Sequence, residues 1–192
     1  MSATVDIQEA NGATPDWTTV TAARFCTTDV CVPGTNYPIP IPNTGFRYSY
    51  WKTFCLLMTG IGTSINNIRF YGDGAVGWAF GAGGGLFVGT KNSGDSGLAI
   101  ASYAIATGTE GLTGHAMGDP TNGHPIYKGA GYSVADVEGY AILAPLLVDS
   151  TYYTVDGRSK AVVLQVKVDT PANGANQGVQ TDEVLSFRYD EI

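Results

Sequence analysis

Apolar and polar residues alternate most continuously between Tyr48 and Gly74, YSYWKTFCLLMTGIGTSINNIRFYGDG. The pattern predicts two long strands paired through a glycine-bearing turn at 60–63. On the first strand Trp51, Thr53, Cys55 and Leu57 share one face, and Lys52, Phe54, Leu56 and Met58 the other. Both faces are largely apolar, as in a central strand covered on both sides. Ile65 to Tyr71 returns with Ile68 and Phe70 on one face, and a β-bulge accounts for the break in alternation at Asn66-Asn67.

The same pattern read from the start of the chain predicts a half-buried strand over Ala3–Glu9, a turn over Asn11–Asp16 and a strand over Thr18–Cys26. Val32–Asn43, VPGTNYPIPIPN, carries prolines at 33, 38, 40 and 42. It cannot be a central strand and reads as an extended, polyproline-like arm along an edge or over a neighbouring subunit. An SH3-type peptide ligand is the alternative reading of that arm. After the glycine-rich Gly72–Gly85, a strand begins at Leu86-Phe87-Val88.

Residues 91–139 are the least regular part, a long excursion of the kind that carries function or wraps a partner. Within it Leu98–Ala106 reads as a short apolar strand. Ser133–Val137 reads as a helical turn capped by Ser133 or Asp136, the only helix expected. Gly139–Val148 is strand-like until Pro145, and Asp156-Gly157 is a hairpin signal. Val162, Leu164, Val166 and Val168 share one face of a strand over Lys160–Thr170, followed by a loop at Pro171–Gly178. A closing strand over Val184–Tyr189 completes a C-terminal hairpin. Eight to ten strands without a repeat or linker predict one all-β domain over residues 1–192. Its expected form is an antiparallel β-sandwich, jelly-roll or Ig-like, with long glycine-rich loops.

Composition narrows the function classes. Glycine is 26 of 192 residues and charged residues are only 14%, against about 25% charged in a typical domain. Such a chain suits a turn-rich protein that hides surface against neighbours. The net charge of −7 with only 10 Lys+Arg is the wrong electrostatics for nucleic acid and offers no basic face to a membrane. The opening MSATVDIQEANG lacks the cationic and apolar regions of a signal peptide, so retention in the cytoplasm of synthesis is expected. Cys26, Cys31 and Cys55 are an odd set without zinc spacing, read as buried free thiols, with a local Cys26–Cys31 bridge as the alternative.

No cofactor motif is present. The glycines of 72–85 lack the P-loop pattern, and Asp73 among them lacks the ligand series of a calcium loop. His115 and His124, with Asp119 between them, lack a metal spacing and a third ligand. A Ser93–His124–Asp119 triad has no nucleophile elbow to support it. Asp136 and Glu138 are the nearest pair of carboxylates for glycoside hydrolysis, and solvated surface is their plainer reading. No catalytic, cofactor or metal residue is therefore assigned. Candidate interface or ligand contacts are Tyr37, Ile39 and Ile41 on the proline-rich arm. Trp78, Phe80, Tyr127 and Tyr132, in or near the glycine-rich loops, join them, with Tyr103 a further loop aromatic. Such rings fill subunit interfaces or serve as stacking platforms for sugars.

The Tyr48–Gly74 stretch, with RFCTTD and PGTNYPIPIP before it and VLSFRYDEI at the end, resembles structural proteins of tailed bacterial or archaeal viruses. These are capsid decoration and related virion-surface components. The resemblance covers roughly half the chain and leaves 91–139 unmatched. It implies a non-enzymatic β-sandwich located on the virion, a homo-oligomer bound to a major capsid or other virion protein. Two alternatives stand beside it: a carbohydrate-binding or host-attachment module that uses the loop aromatics on a surface glycan, and a hydrolase with its site in the long loop.

Overall fold

The computed structural model describes residues 2–72, 78–178 and 184–192. They contain thirteen strands: β1 (Thr4–Asn11), β2 (Asp16–Thr19), β3 (Arg47–Tyr48), β4 (Lys52–Thr59), β5 (Ile65–Gly72), β6 (Gly85–Lys91), β7 (Gly108–Thr109), β8 (Thr113–Gly114), β9 (Tyr132–Asp136), β10 (Leu146–Asp149), β11 (Gly157–Arg158), β12 (Val162–Val168) and β13 (Leu185–Glu191). Three single 3-10 turns, and no α-helix, accompany them among the described residues. The protein is an all-β, antiparallel β-sandwich. One sheet runs β2-β1-β4-β12-β6-β9, with β11 continuing along β4 and β3 along β12, and the second runs β10-β5-β13.

The two long strands of the Tyr48–Gly74 stretch form where the alternation predicts them, but they do not pair. β4 bonds to β1, β11 and β12, whereas β5 bonds to β10 and β13. The turn at 60–63 therefore carries the chain from one sheet to the other. The expected C-terminal hairpin fails in the same way, because β12 lies in the large sheet and β13 in the small one. Asp156-Gly157 is likewise no hairpin turn, since Gly157 pairs with Met58. Each of these strands has an apolar face that is better buried against a facing sheet than beside its neighbour in sequence.

Phe54, Leu56 and Met58 of β4, Ile65, Ile68 and Phe70 of β5, Leu146 and Val148 of β10, and the four inward residues of β12 fill the space between the sheets. Each such buried side chain stabilises by about 1.5–3 kcal/mol. The bulge expected at Asn66-Asn67 is present. Between the pairs Arg188↔Arg69 and Asp190↔Asn66, β5 advances three residues and β13 two. Asn67 takes φ 54°, a left-handed conformation that asparagine tolerates. The extra residue lets Ile65 and Ile68, three apart, both face inward.

The other face of the large sheet is covered as well. Trp51 and Cys55 of β4, with Ala161 and Val163 flanking and on β12, pack beneath Leu98, Ala106, Met117 and Tyr127 in a second core. Residues 91–139 thus fold back over their own sheet, which is why β4 is apolar on both faces. Buried Gln165 fastens this cover: its Oε1 accepts from the Met117 amide at 2.7 Å, and its Nε2 donates to Ser49 O and His115 O, each at 2.8 Å.

Several local expectations shift. Leu98–Ala106 is no strand; Leu98 makes a single bridge to Ala161 and a 3-10 turn follows at Ile100–Ser102. Ser133–Val137 is not helical, because β9 occupies Tyr132–Asp136. The 3-10 turn comes next, at Val137–Gly139, with the Asp136 carboxylate accepting from the Glu138 amide. Tyr132–Asp136 pairs with β6 residue by residue, and that ladder outweighs the local turn signal. Strand β10 begins after Pro145 rather than ending there. The predicted Thr18–Cys26 strand is reduced to Asp16–Thr19.

Candidate functional site

The proline-rich arm is free of strand structure, as expected, but Ile39 and Ile41 are turned into the inter-sheet core of their own chain. Tyr37, at φ 55°, is the ring the arm leaves outside, 40% exposed. Trp78 and Phe80 pack against one another with centroids 5.1 Å apart and planes tilted by 53°, and lean half-buried on the same core. Tyr127 is 2% exposed and donates its hydroxyl to Ser96 O at 2.9 Å. It is a core residue and presents no surface to a ligand. Tyr132, on edge strand β9, remains exposed at 36%. Tyr127 and Tyr132 meet edge to face with ring centroids 6.2 Å apart.

What the sequence reading missed is the tip of the turn before β10. Ala144 N donates to Ala141 O at 2.9 Å, and the two residues between them, Ile142 and Leu143, are 56% and 95% exposed. The signal lay in the apolar run AILAPLLV, read as strand up to Pro145. Its proline splits it into an exposed turn and a buried strand.

The histidines have separate duties. His115 Nδ1 lies 2.9 Å from Thr107 Oγ1. The Asp119 carboxylate is spent on the amides of Thr121 and Asn122. Ser93 bonds to Asp95, not to a histidine. Among the described residues no group of three His, Cys, Asp or Glu side chains is arranged to hold a metal. The Asp73 loop lies outside the described residues. His124 is fully buried, its Nδ1 accepting from the Ile126 amide at 3.2 Å and its ring edge-on to Trp51 at 5.4 Å. Burial pushes its pKa down to about 4, so it is neutral with the proton on Nε2.

Gly123 and Pro125, on either side of His124, line an open cleft of about 370 Å³ together with Tyr103, Thr107, Asn122 and the edge of Trp51. Tyr103 is fixed there by donating its hydroxyl to Gly12 O at 3.0 Å.

A second polar constellation is wholly internal. Glu9 and Asn11 lie two apart on β1 and so share a face, and the β1–β4 register, which pairs Glu9 with Phe54 and Ala10 with Thr53, brings Lys52 to the next rung, opposite Asn11. Lys52 is 2% exposed and Glu9 0%. Lys52 Nζ donates to Glu9 Oε1 and, at 2.9 Å, to Val30 O. Asn11 Nδ2 donates to the same Glu9 Oε1 at 2.7 Å. Glu9 Oε2 and Asn11 Oδ1 are buried without a hydrogen-bond partner. Burial pushes the Glu9 carboxyl above its ordinary 4.5, although Lys52, Asn11 and Cys31 pull it back. All three cysteines are free thiols; Cys26 and Cys55 are buried and Cys31 is half-buried.

No protein-family model, curated protein or solved structure matches this chain.

Proposed function

We propose that this chain is a non-enzymatic structural protein of a virion, an oligomeric capsid decoration or cement subunit. It stabilises the particle through contacts with copies of itself and with the major capsid or another virion protein. The observation that carries this reading is the Ile142–Leu143 tip, two large aliphatic side chains held in water by a hydrogen-bonded turn. Covering this tip with a partner removes apolar surface from water, which is favourable by about 25 cal/mol per Å². Tyr37 and Tyr132 extend the apolar surface elsewhere. A stable contact of this kind buries about 1,600 Å² in total.

Sedimentation of the purified protein, alone and with particles, tests the proposal. Self-association or stoichiometric binding is expected, and Leu143→Asp abolishes it while leaving the unfolding midpoint unchanged. A monomer at high concentration that also fails to bind particles overturns it.

Carbohydrate binding or host attachment is the second reading, and the cleft beside Tyr103 and Asn122 favours it over a role for Trp78. A glycan array on which binding is lost with Tyr103→Ala supports that reading; an array with no binding removes it.

A further inference from the structure

Lys52, Glu9 and Asn11 bring together an amine, a carboxyl and a carboxamide on neighbouring strands inside the sandwich. A buried ion pair contributes little to stability compared with apolar residues of the same volume, and nothing about such a pair calls for a carboxamide on the same oxygen. Here the Lys52 ammonium and the Asn11 amide nitrogen both donate to Glu9 Oε1. The arrangement is a nucleophile, a proton carrier and an electrophile whose leaving group already faces the carrier.

We propose that Lys52 and Asn11 become joined by an isopeptide bond that the fold forms by itself, with Glu9 shuttling the proton. The Lys52 ammonium passes one proton to the Glu9 carboxylate, leaving a neutral amine and a neutral acid. The amine lone pair adds to Asn11 Cγ, forming the new C–N bond. Glu9 then returns its proton to Asn11 Nδ2, the old C–N bond breaks, and nitrogen departs as ammonia, taking up the proton the former amine sheds. Lys–NH₃⁺ and Asn–CONH₂ become an amide and NH₄⁺, with no oxidant or cofactor required.

Three features of the site agree with this chemistry. Burial favours the protonated form of Glu9 that the second step needs. The product replaces a buried cation with a neutral amide, and Glu9 then takes up a proton, reaching the form that burial favours, so that no charge is left in the site. The competing reaction of an Asn-Gly sequence is attack on Asn11 by the amide nitrogen of Gly12. That N–H is instead held by the Asp29 carboxylate at 2.8 Å, which ties the amide up against that attack. The crosslink ties β1 to β4 at the end of their ladder, a covalent staple for a protein whose proposed task is mechanical. The inference does not depend on that task.

Intact-mass measurement on the folded, purified chain, followed by protease mapping, tests the proposal. The expected result is a mass one ammonia below the sequence value and a branched peptide joining the segment around Asn11 to the segment around Lys52. The species is stable to hydroxylamine. Glu9→Gln, Lys52→Arg and Asn11→Ala each restore the full mass expected for the variant. A folded wild-type chain at its full sequence mass after prolonged incubation overturns the proposal. So does an ammonia loss that maps to a hydroxylamine-sensitive Asn11–Gly12 imide. Because the wild-type digest alone decides between these results, variants that fail to fold do not rescue the idea.

Discussion

Ser49 and Ser159, both fully buried, mend two bulges on facing strands of the large sheet in the same way. Ser49 N donates to Val166 O at 2.9 Å while its hydroxyl accepts from Val166 N at 3.0 Å. Ser159 N donates to Leu56 O at 2.9 Å while its hydroxyl accepts from Leu56 N at 3.0 Å. From Leu57↔Arg158 to Phe54↔Val162 the chain advances three residues on one side and four on the other. From Lys52↔Leu164 to Tyr48↔Lys167 it advances four and three. The two slips cancel, so the ladder ends in the register in which it began. At each bulge a backbone group is freed to hold the outer cover: Tyr50 N donates to Cys26 O, and Ala161 exchanges both bonds with Leu98, each at 2.8 Å.

Ser49→Ala and Ser159→Ala each leave a buried N–H without an acceptor, so each variant loses about 1–3 kcal/mol in urea denaturation. Ser159 faces Leu56, seven residues along from Ser49 (56 − 49), or about 23 Å. The double variant should therefore lose the sum of the two. A loss of a few tenths of a kcal/mol for either one contradicts the account.

Glycine is needed at 97 for room and not for flexibility. A Cβ there would stand 1.9 Å from Val148 O, whereas at Gly157 it would meet nothing within 4 Å. Gly97→Ala is expected to lower stability by on the order of 3 kcal/mol through backbone displacement. Gly157→Ala stays within about 0.5 kcal/mol of the parent. Thermal unfolding of the two variants side by side reads the contrast.

His124 gives the protein an acid-sensitive core. Its folded pKa of about 4 lies below the ordinary 6.5, so the unfolded chain binds more protons between those values. Stability from this residue is complete above pH 6.5 and declines as the pH falls toward 4, by on the order of 3 kcal/mol. Glu9, shifted upward, acts in the opposite sense in the acid part of this range, so the comparison is between wild type and His124→Asn. Asparagine keeps an acceptor for the Ile126 amide but does not titrate. Denaturation midpoints at neutral and mildly acidic pH should show the variant losing less on acidification; parallel losses in both proteins contradict this assignment.

The amino-acid sequence by itself determined the strands around Lys52–Thr59, Ile65–Gly72, Val162–Val168 and Leu185–Glu191, because a period of two is imposed by each strand's own backbone. It also determined the bulge at Asn67, where the alternation breaks, and the two-sided burial of β4, whose residues are apolar on both faces. Tertiary structure alone decided which strand lies beside which. Turns at 60–63 and after Val168 are as compatible with crossing between sheets as with closing a hairpin, and only the burial of facing apolar surfaces selects the crossing. The same holds for function. Leu143 fell within a segment read only as strand because hydrophobicity does not record exposure, and Tyr127 looked like surface because it lies near a glycine-rich loop. Glu9, Asn11 and Lys52 carried no motif at all: two strands far apart in sequence had to come into register before an amine, a carboxyl and a carboxamide met in one buried place.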